Sequence, residues 1–336
     1  MARKDFPTKD ADAFSQFVQG RAFFQSYLGS GQGEELSQAR DRFATAAARD
    51  PEFDIAKLYL AVTQTELRDS DAAIPALEDL VKRKSYLPEA HVQLAYAHIK
   101  RYKNADYAAA EEELNKAVQA SKTGKRNDLI DLIGAYRVFL LAVRGGRGTD
   151  TAERKRHYLE EALKLGKELL QRTAAKGKTP EERVAVQFEV NNAMGIAFLW
   201  LGELFHSEPD SEMWWVQSEK YFNAALALRS RSVRPLQNLG LLYMVRGDRI
   251  QNEPTKAREL YEQAKVFVGQ SLKLNPFDQY PHFQMALLFI KTADWPAAQA
   301  SVEAGKKQKG SISPEKWTTI EEAISARDVS KVSNFR

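Results

Sequence analysis

The chain has no cysteine, and its 336 residues include only 18 glycines and 12 prolines. The lack of cysteine excludes disulfides, thiolate metal sites and cysteine nucleophiles, and it is typical of proteins from a reducing compartment. Few glycines and prolines leave little room for long loops, because these residues punctuate turns. We therefore expect a folded, mostly helical and cytoplasmic protein.

The sequence also lacks a long apolar run and a strong charge of one sign. Its start, MARKDFPTKDADAF, has no signal-peptide core, and apolar stretches such as residues 196–204 are shorter than a bilayer requires. Forty-nine Lys and Arg oppose 45 Asp and Glu, giving a net charge of +4, and the basic clusters lie among acidic residues. These features argue against secretion, membrane insertion and nucleic-acid binding.

No pattern of catalytic or metal-ligating residues is present. The five histidines show neither the i, i+4 spacing of a helical metal pair nor a HExxH motif. A GxSxG elbow, a paired-carboxylate motif and a dinucleotide fingerprint are also missing. The sequence therefore predicts no metal, no cofactor and no enzyme activity, and we interpret His91 and His282 as packing residues.

Residues 144–148, with the sequence RGGRG, form a glycine-rich stretch. Backbone N–H groups and two guanidiniums there are suited to a phosphate. However, the stretch lacks the preceding strand and the Gly-Lys-Ser/Thr of a phosphate-binding loop. We interpret it as a helix C-cap, with glycine in the left-handed conformation, followed by a turn. A nucleotide or small-ligand sensor built on this loop is the alternative.

What the sequence does contain is helical periodicity. In residues 38–51, QARDRFATAAARDP, the side chains of Ala39, Phe43 and Ala46 fall on one helix face, and the helix ends before Pro51. Large-then-small pairs recur in later helices, where two helices must approach closely. These pairs are Leu60-Ala61, Leu94-Ala95, Met194-Gly195, Leu239-Gly240 and Met285-Ala286. The first two lie 34 residues apart, which is the period of one helix-pair repeat.

The units resemble tetratricopeptide repeats (TPRs), whose pattern is matched by Leu239-Gly240 with Tyr243 and by Ala39, Phe43 and Pro51. The resemblance implies an all-α, right-handed superhelical α-solenoid of about seven helix pairs. We predict one continuous repeat domain over residues 1–312, a capping helix over 313–328 that begins after Ser313, and a flexible tail over 329–336. The pairs are expected near residues 12–50, 51–87, 88–126, 127–177, 180–232, 233–278 and 279–312.

Three of the pairs depart from the repeat pattern. We expect a long turn after residue 143 and extra inter-helix loops near residues 206–215 and 246–260, since insertions in such repeats map to loops. These loops are either a second interaction surface or tolerated decoration. The Met213-Trp214-Trp215 cluster in one of them is interpreted as core, with an exposed tryptophan anchor as the alternative.

The resemblance also implies a non-catalytic protein-interaction scaffold or adaptor, because such solenoids bind extended peptides or partner helices along their first helices. The predicted partner-binding residues are Asn192, Arg234, Gln237, Tyr280, Phe283, Lys291, Tyr96 and Trp200. Their amides suit a peptide backbone, their cations an acidic or C-terminal segment, and their rings apolar anchors.

Other interpretations of these residues remain open. They could simply solvate the concave wall, or the chain could be a regulatory or inhibitory subunit of an effector enzyme such as a protease or nuclease. A chaperone-adaptor role is disfavoured. Where chaperone-binding members of the family carry a Lys-xxx-Asn pair, this chain has Phe17 and Arg21.

Overall fold

The computed structural model describes residues 8–84, 87–124, 126–174, 179–250, 252–308, 310 and 312–333. Over these residues the chain forms fifteen α-helices and two 3₁₀ helices, without a strand. The α-helices are α1 (Ala11–Ser30), α2 (Gly33–Arg49), α3 (Asp54–Glu66), α4 (Ser70–Lys82), α5 (Leu87–Lys100), α6 (Asp106–Thr123), α7 (Ile130–Arg147), α8 (Ala152–Ala174), α9 (Pro180–Leu204), α10 (Ser211–Leu228), α11 (Val233–Arg249), α12 (Pro254–Leu274), α13 (Gln279–Lys291), α14 (Trp295–Lys306) and α15 (Pro314–Ala326). The 3₁₀ helices are Asn127–Leu129 and Val329–Val332.

The α-helices follow the predicted order of seven pairs and a final single helix. Each predicted window holds one first helix and one second helix, from α1 and α2 to α13 and α14. The most extensive contacts join helices that are neighbours in sequence, such as α1 with α2 and α11 with α12. The predicted all-α, TPR-like stack of helix pairs is therefore confirmed, while the right-handed superhelical path stays a prediction.

The chain divides into two compact units, Met1–Ala193 and Met194–Arg336, which we call unit 1 and unit 2. In unit 1 the first three helices enclose an aromatic cluster. The ring centroid of Phe17 lies 5.7 Å from that of Phe43 and 5.1 Å from that of Phe53. Ala39, Phe43 and Ala46 are fully buried, as their spacing predicts, and α2 ends two residues before Pro51.

In unit 2 a glycine allows close approach of α9 and α10. A Cβ atom built on Gly195 would lie 2.5 Å from Cδ1 of Phe222, which is closer than carbon atoms pack. The Ser218 hydroxyl of α10 also donates to the Gly195 carbonyl at 2.8 Å. The small member of the Met194-Gly195 pair thus lies at the helix contact, as predicted.

We expect Gly195→Ala to lower the free energy of unfolding by about 1–3 kcal/mol, because the added methyl group has to displace the fully buried Phe222 ring. Gly269 in α12 is the matched control, since nothing lies within 4 Å of a Cβ atom built there. Gly269→Ala should raise the free energy of unfolding by about 0.5–1 kcal/mol through its backbone effect. Urea unfolding measures both, and equal effects would contradict the close approach.

The expected long turn and extra loops are mostly helical, so this part of the prediction is wrong. Only residues 148–151, 205–210 and 250–253 separate the helices concerned. In each case a bulky side chain in the second helix packs on a glycine near the end of the first: Leu159 on Gly145, Trp215 on Gly202, and Tyr261 on Gly247. The longer helices bury these side chains, whereas loops of the same length would leave them exposed.

The C-terminal end is ordered beyond the predicted capping helix. α15 begins after Ser313 as expected, and its Trp317 and Ile320 are buried. The segment predicted as a flexible tail contains the 3₁₀ helix Val329–Val332, whose Val332 is fully buried. Ordered structure therefore continues past residue 328, and residues 334–336 lie outside the described part of the chain.

Candidate functional site

Most of the predicted partner-binding residues are buried. Those with 2% of their surface exposed are Tyr96, Asn192, Gln237 and Phe283, and Trp200 is 7% exposed. The Lys291 side chain is 3% exposed, whereas Arg234 and Tyr280 are half-buried. Tyr96 and Asn192 belong to unit 1 and the other six residues to unit 2. Their binding roles stay predictions, and only Arg234 and Tyr280 offer a substantial exposed surface.

In unit 1, Tyr96 of α5 packs between its neighbouring first helices. Its hydroxyl donates to Oε1 of Glu66 in α3 at 3.1 Å. Its ring lies 4.9 Å from that of Tyr136 and 6.1 Å from that of Phe139, both in α7. The surface that Tyr96 was expected to offer to a peptide is therefore filled by side chains of the same unit.

In unit 2, Gln237 joins α11 to α13. Its Nε2 donates to Oδ2 of Asp278 at 2.7 Å, and Nε2 of Gln284 donates to the Gln237 carbonyl at 3.0 Å. The other oxygen of Asp278 accepts from the Tyr280 N–H at 3.0 Å and so caps α13. The Gln237 amide is thus engaged within the protein and fixes these two first helices against each other.

Phe283 is covered by the capping helix. Its ring meets that of Trp317 in α15 edge to face, with centroids 5.5 Å apart. Trp317 is 4% exposed and also packs against Gly305 of α14. A Cβ atom built on Gly305 would lie 2.5 Å from Cη2 of the Trp317 indole. Phe283 therefore anchors α15 to the seventh pair.

Lys291 forms a buried ion pair. Its Nζ lies 2.7 Å from Oδ1 of Asp248, and the two side chains are 3% and 4% exposed. The Tyr261 hydroxyl donates to the same oxygen at 2.8 Å. Burial, together with the Asp248 charge and hydrogen bond, raises the pKa of Tyr261 well above its ordinary value, so the phenol stays a donor. The cation predicted to meet an acidic partner is neutralised by the chain's own carboxylate.

A cavity of about 510 Å³, here called the C-terminal pocket, lies beside this ion pair. It is lined by Pro254, Ala257, Arg258, Tyr261, Lys291, Thr292, Ala293, Val329, Ser330 and Ser333. Sequence reasoning identified only Lys291 among these residues. One signal was available for its partner: Asp248 and Lys291 carry opposite charges at the ends of consecutive first helices.

The 144–148 stretch forms the end of a helix. Residues 144–147 are the last turn of α7, and the Gly148 N–H donates to the Arg144 carbonyl at 2.9 Å. Gly148 has a φ of −63°, so the predicted left-handed cap is wrong. The Arg144 guanidinium lies 4.3 Å from the centre of the Tyr158 ring and 3.6 Å from the Glu111 carboxylate. Because the backbone N–H groups belong to a helix end, this geometry does not support the sensor alternative.

The tryptophan cluster divides between core and surface. The core interpretation holds for Trp215, which is 4% exposed and packs on Gly202, but not for Trp214, which is half-buried. Met213 and Val216 are 55% and 50% exposed. The start of α10 therefore combines one core indole with exposed apolar side chains.

The two histidines interpreted as packing residues both have partners. His91 Nδ1 lies 2.6 Å from Oε2 of Glu113 inside unit 1. His282 Nε2 lies 2.9 Å from the Pro276 carbonyl. The interpretation of satisfied imidazoles is confirmed. The described residues hold no group of three or more His, Asp or Glu side chains placed to bind a metal ion.

Three solved structures were aligned with the chain over nearly its whole length. Two are TPR domains. The TPR2AB domain of yeast Sti1 in its pHSP90 complex shares 13% identity at a TM-score of 0.29, covering 96% of this chain and 98% of that one. The P58(IPK) TPR domain shares 14% identity at a TM-score of 0.29, covering 97% and 100%. Yeast Tom70 shares 12% identity at a TM-score of 0.27, covering 96% and 97%.

Structural similarity at such low TM-scores says nothing about function. The fold assignment therefore rests on the helix pairs of this chain. No family model and no curated protein matches the sequence.

Among the described residues, one helix has the length and composition of a membrane span. This is α9, whose most apolar 18-residue window is 78% buried within the protein. The core helix of a folded protein passes the same test, so this is weak evidence for a membrane. The apolar run 196–204 is only the C-terminal part of this helix, which spans Pro180–Leu204.

Proposed function

We propose that this protein is a non-catalytic scaffold that binds another protein through half-buried side chains at the starts of first helices in unit 2. The observation that carries the proposal is the placement of Arg234 and Tyr280. Each is the second residue of its helix, in α11 and α13 respectively, and each is half-buried. The Gln237–Asp278 hydrogen bond joins the two helices near their starts, so the spacing of the two backbones is set before a partner binds.

The chemistry of these two side chains favours an acidic partner segment. A guanidinium binds carboxylates with two parallel hydrogen bonds, and tyrosine is enriched among the residues that dominate binding energy. Of the residues first predicted beside them, Gln237 is buried and supports this surface through its hydrogen bond to Asp278. Asn192, in unit 1, takes no part in this proposal.

The test is affinity capture from the native host with the wild-type chain and the Arg234→Glu/Tyr280→Ala variant. We expect the amount of at least one captured partner to fall about ten-fold with the variant. Residues of this kind each contribute more than about 1 kcal/mol of binding free energy. Lys273→Glu, an exposed charge reversal on the second helix α12, is the matched control. Asn192→Ala and Phe283→Ala are unsuitable because both residues are buried.

A captured partner is then purified and its affinity for the same three proteins is measured by calorimetry. If the double variant is folded by circular dichroism and binds every partner as the wild type does, the proposed surface is wrong. A partner whose activity falls on binding would identify the chain as an inhibitory subunit of that enzyme, which is a finer form of the same proposal.

A further inference from the structure

We infer that the C-terminal pocket binds a small organic carboxylate with an apolar body. This proposal involves other residues than Arg234 and Tyr280 and does not depend on the protein partner. The pocket lies where α12, α13 and the 3₁₀ helix Val329–Val332 meet, within unit 2.

The size and walls of the pocket suit a small apolar body. A volume of about 510 Å³ falls within the range of small-molecule sites. Pro254, Ala257, Ala293 and Val329 supply apolar wall, and Tyr261 supplies an aromatic ring. Such a lining favours a short alkyl or aryl group over a hydrated ion.

The charges of the lining select an anion. Among the described residues that line the cavity, Lys291 and Arg258 are the charged ones, and none is Asp or Glu. Asp248 lies behind the lining and accepts one hydrogen bond from the Lys291 ammonium, which has three N–H donors. Arg258 is exposed and makes no ion pair within the described part of the chain. The pocket therefore carries a net positive charge that a single carboxylate neutralises.

The third wall is built by the segment after α15. Val332 is fully buried and anchors this segment, and the Asp328 carboxylate accepts from the Ser330 N–H at 2.9 Å. Ser333 donates to the Ser330 carbonyl at 2.8 Å, which closes the turn. Because the chain's own residues make these contacts, we expect the wall to be formed in advance and little ordering to be required on binding.

Calorimetry on the full chain tests the proposal with hexanoate as the probe. The control ligand is 1-hexanol, which has the same carbon chain length but no charge. For a ligand of this size we expect a Kd of order 1 mM for hexanoate and binding at least about ten-fold weaker for hexanol. Equal affinities, or no hexanoate binding at about ten times that concentration, would overturn the proposal. An N-acetylated peptide ending in leucine distinguishes the source of the carboxylate. If the peptide binds more tightly than hexanoate, the assignment to a small molecule is wrong.

Two variants locate the site. Arg258→Glu reverses the charge at the pocket, and Val329→Asp adds an acid to its wall at a side chain that is 39% exposed, so both should fold. Each is expected to weaken hexanoate binding at least about ten-fold through like-charge repulsion. Lys256→Glu is the matched control on α12, because Lys256 is 66% exposed and does not line the pocket. Lys256→Glu should leave the Kd for hexanoate within about two-fold of the wild-type value, since solvent and salt screen exposed charges. Equal weakening by the control and Arg258→Glu would show that the pocket is not the site.

Discussion

Lys291→Met is expected to lower the free energy of unfolding by about 3–5 kcal/mol, because it leaves the Asp248 carboxylate buried without its cation. The Asp248 side chain is 4% exposed, so its carboxylate is poorly hydrated once the ammonium is removed. The hydrogen bond from Tyr261 remains, but one neutral donor does not compensate a buried charge. Urea unfolding measures the loss, with circular dichroism and tryptophan fluorescence as two probes because repeat proteins can unfold in steps.

The double variant Lys291→Met/Asp248→Asn separates the ion pair from simple packing. Removing both charges should recover most of the stability that the single variant loses. Lys256→Met is the control, since its ion pair with Glu253 is largely exposed and should contribute at most about 1 kcal/mol. If Lys291→Met lowers the free energy of unfolding no more than Lys256→Met does, Lys291 is not held in a buried ion pair.

Trp317→Ala is the second substitution with a large expected effect, about 3–5 kcal/mol of unfolding free energy. The indole is 4% exposed and fills the space between Phe283 and Gly305, so its removal leaves a cavity that the backbone of α14 cannot close. Amide hydrogen exchange should rise first in α13, α14 and α15, because these helices share the lost contact. Unfolding monitored by circular dichroism gives the total loss.

Trp295→Ala is the matched tryptophan control in α14. Its side chain is half-buried, so we expect a loss of about 1 kcal/mol. Faster exchange confined to α13–α15 in the Trp317→Ala variant would show that α15 protects the end of the repeat stack. If exchange instead rose evenly along the chain, the proposed capping role of α15 would be wrong.

The order of the helices could be predicted from the sequence because the relevant signals are local. Ala39, Phe43 and Ala46 share a face by spacing alone, and Ser313 followed by proline marks a helix start without knowledge of any neighbour. The ends of the longer helices could not be predicted in this way. Gly145 next to Gly146 reads as a turn signal, and only its contact with Leu159 shows that the helix continues there.

The candidate site was less predictable because it depends on pairings across the repeats. Repeat positions indicate which residues lie on a first helix, but not which of them the next first helix covers. Tyr96 and Gln237 were placed correctly along their helices, yet their partners Glu66 and Asp278 lie 30 and 41 residues away in sequence. The C-terminal pocket also depends on Val329 and Ser330, which the sequence analysis assigned to a tail.

The burial of α9 has a consequence during synthesis. Residues 180–204 leave the ribosome before the helices that cover their second half exist, since Phe222 and Trp215 belong to α10. Glu203, whose side chain is 1% exposed in the finished protein, meets the Arg249 guanidinium only after that residue has been added. Until then the nascent chain displays an apolar segment as long as a membrane span, and such exposed apolar surface promotes aggregation.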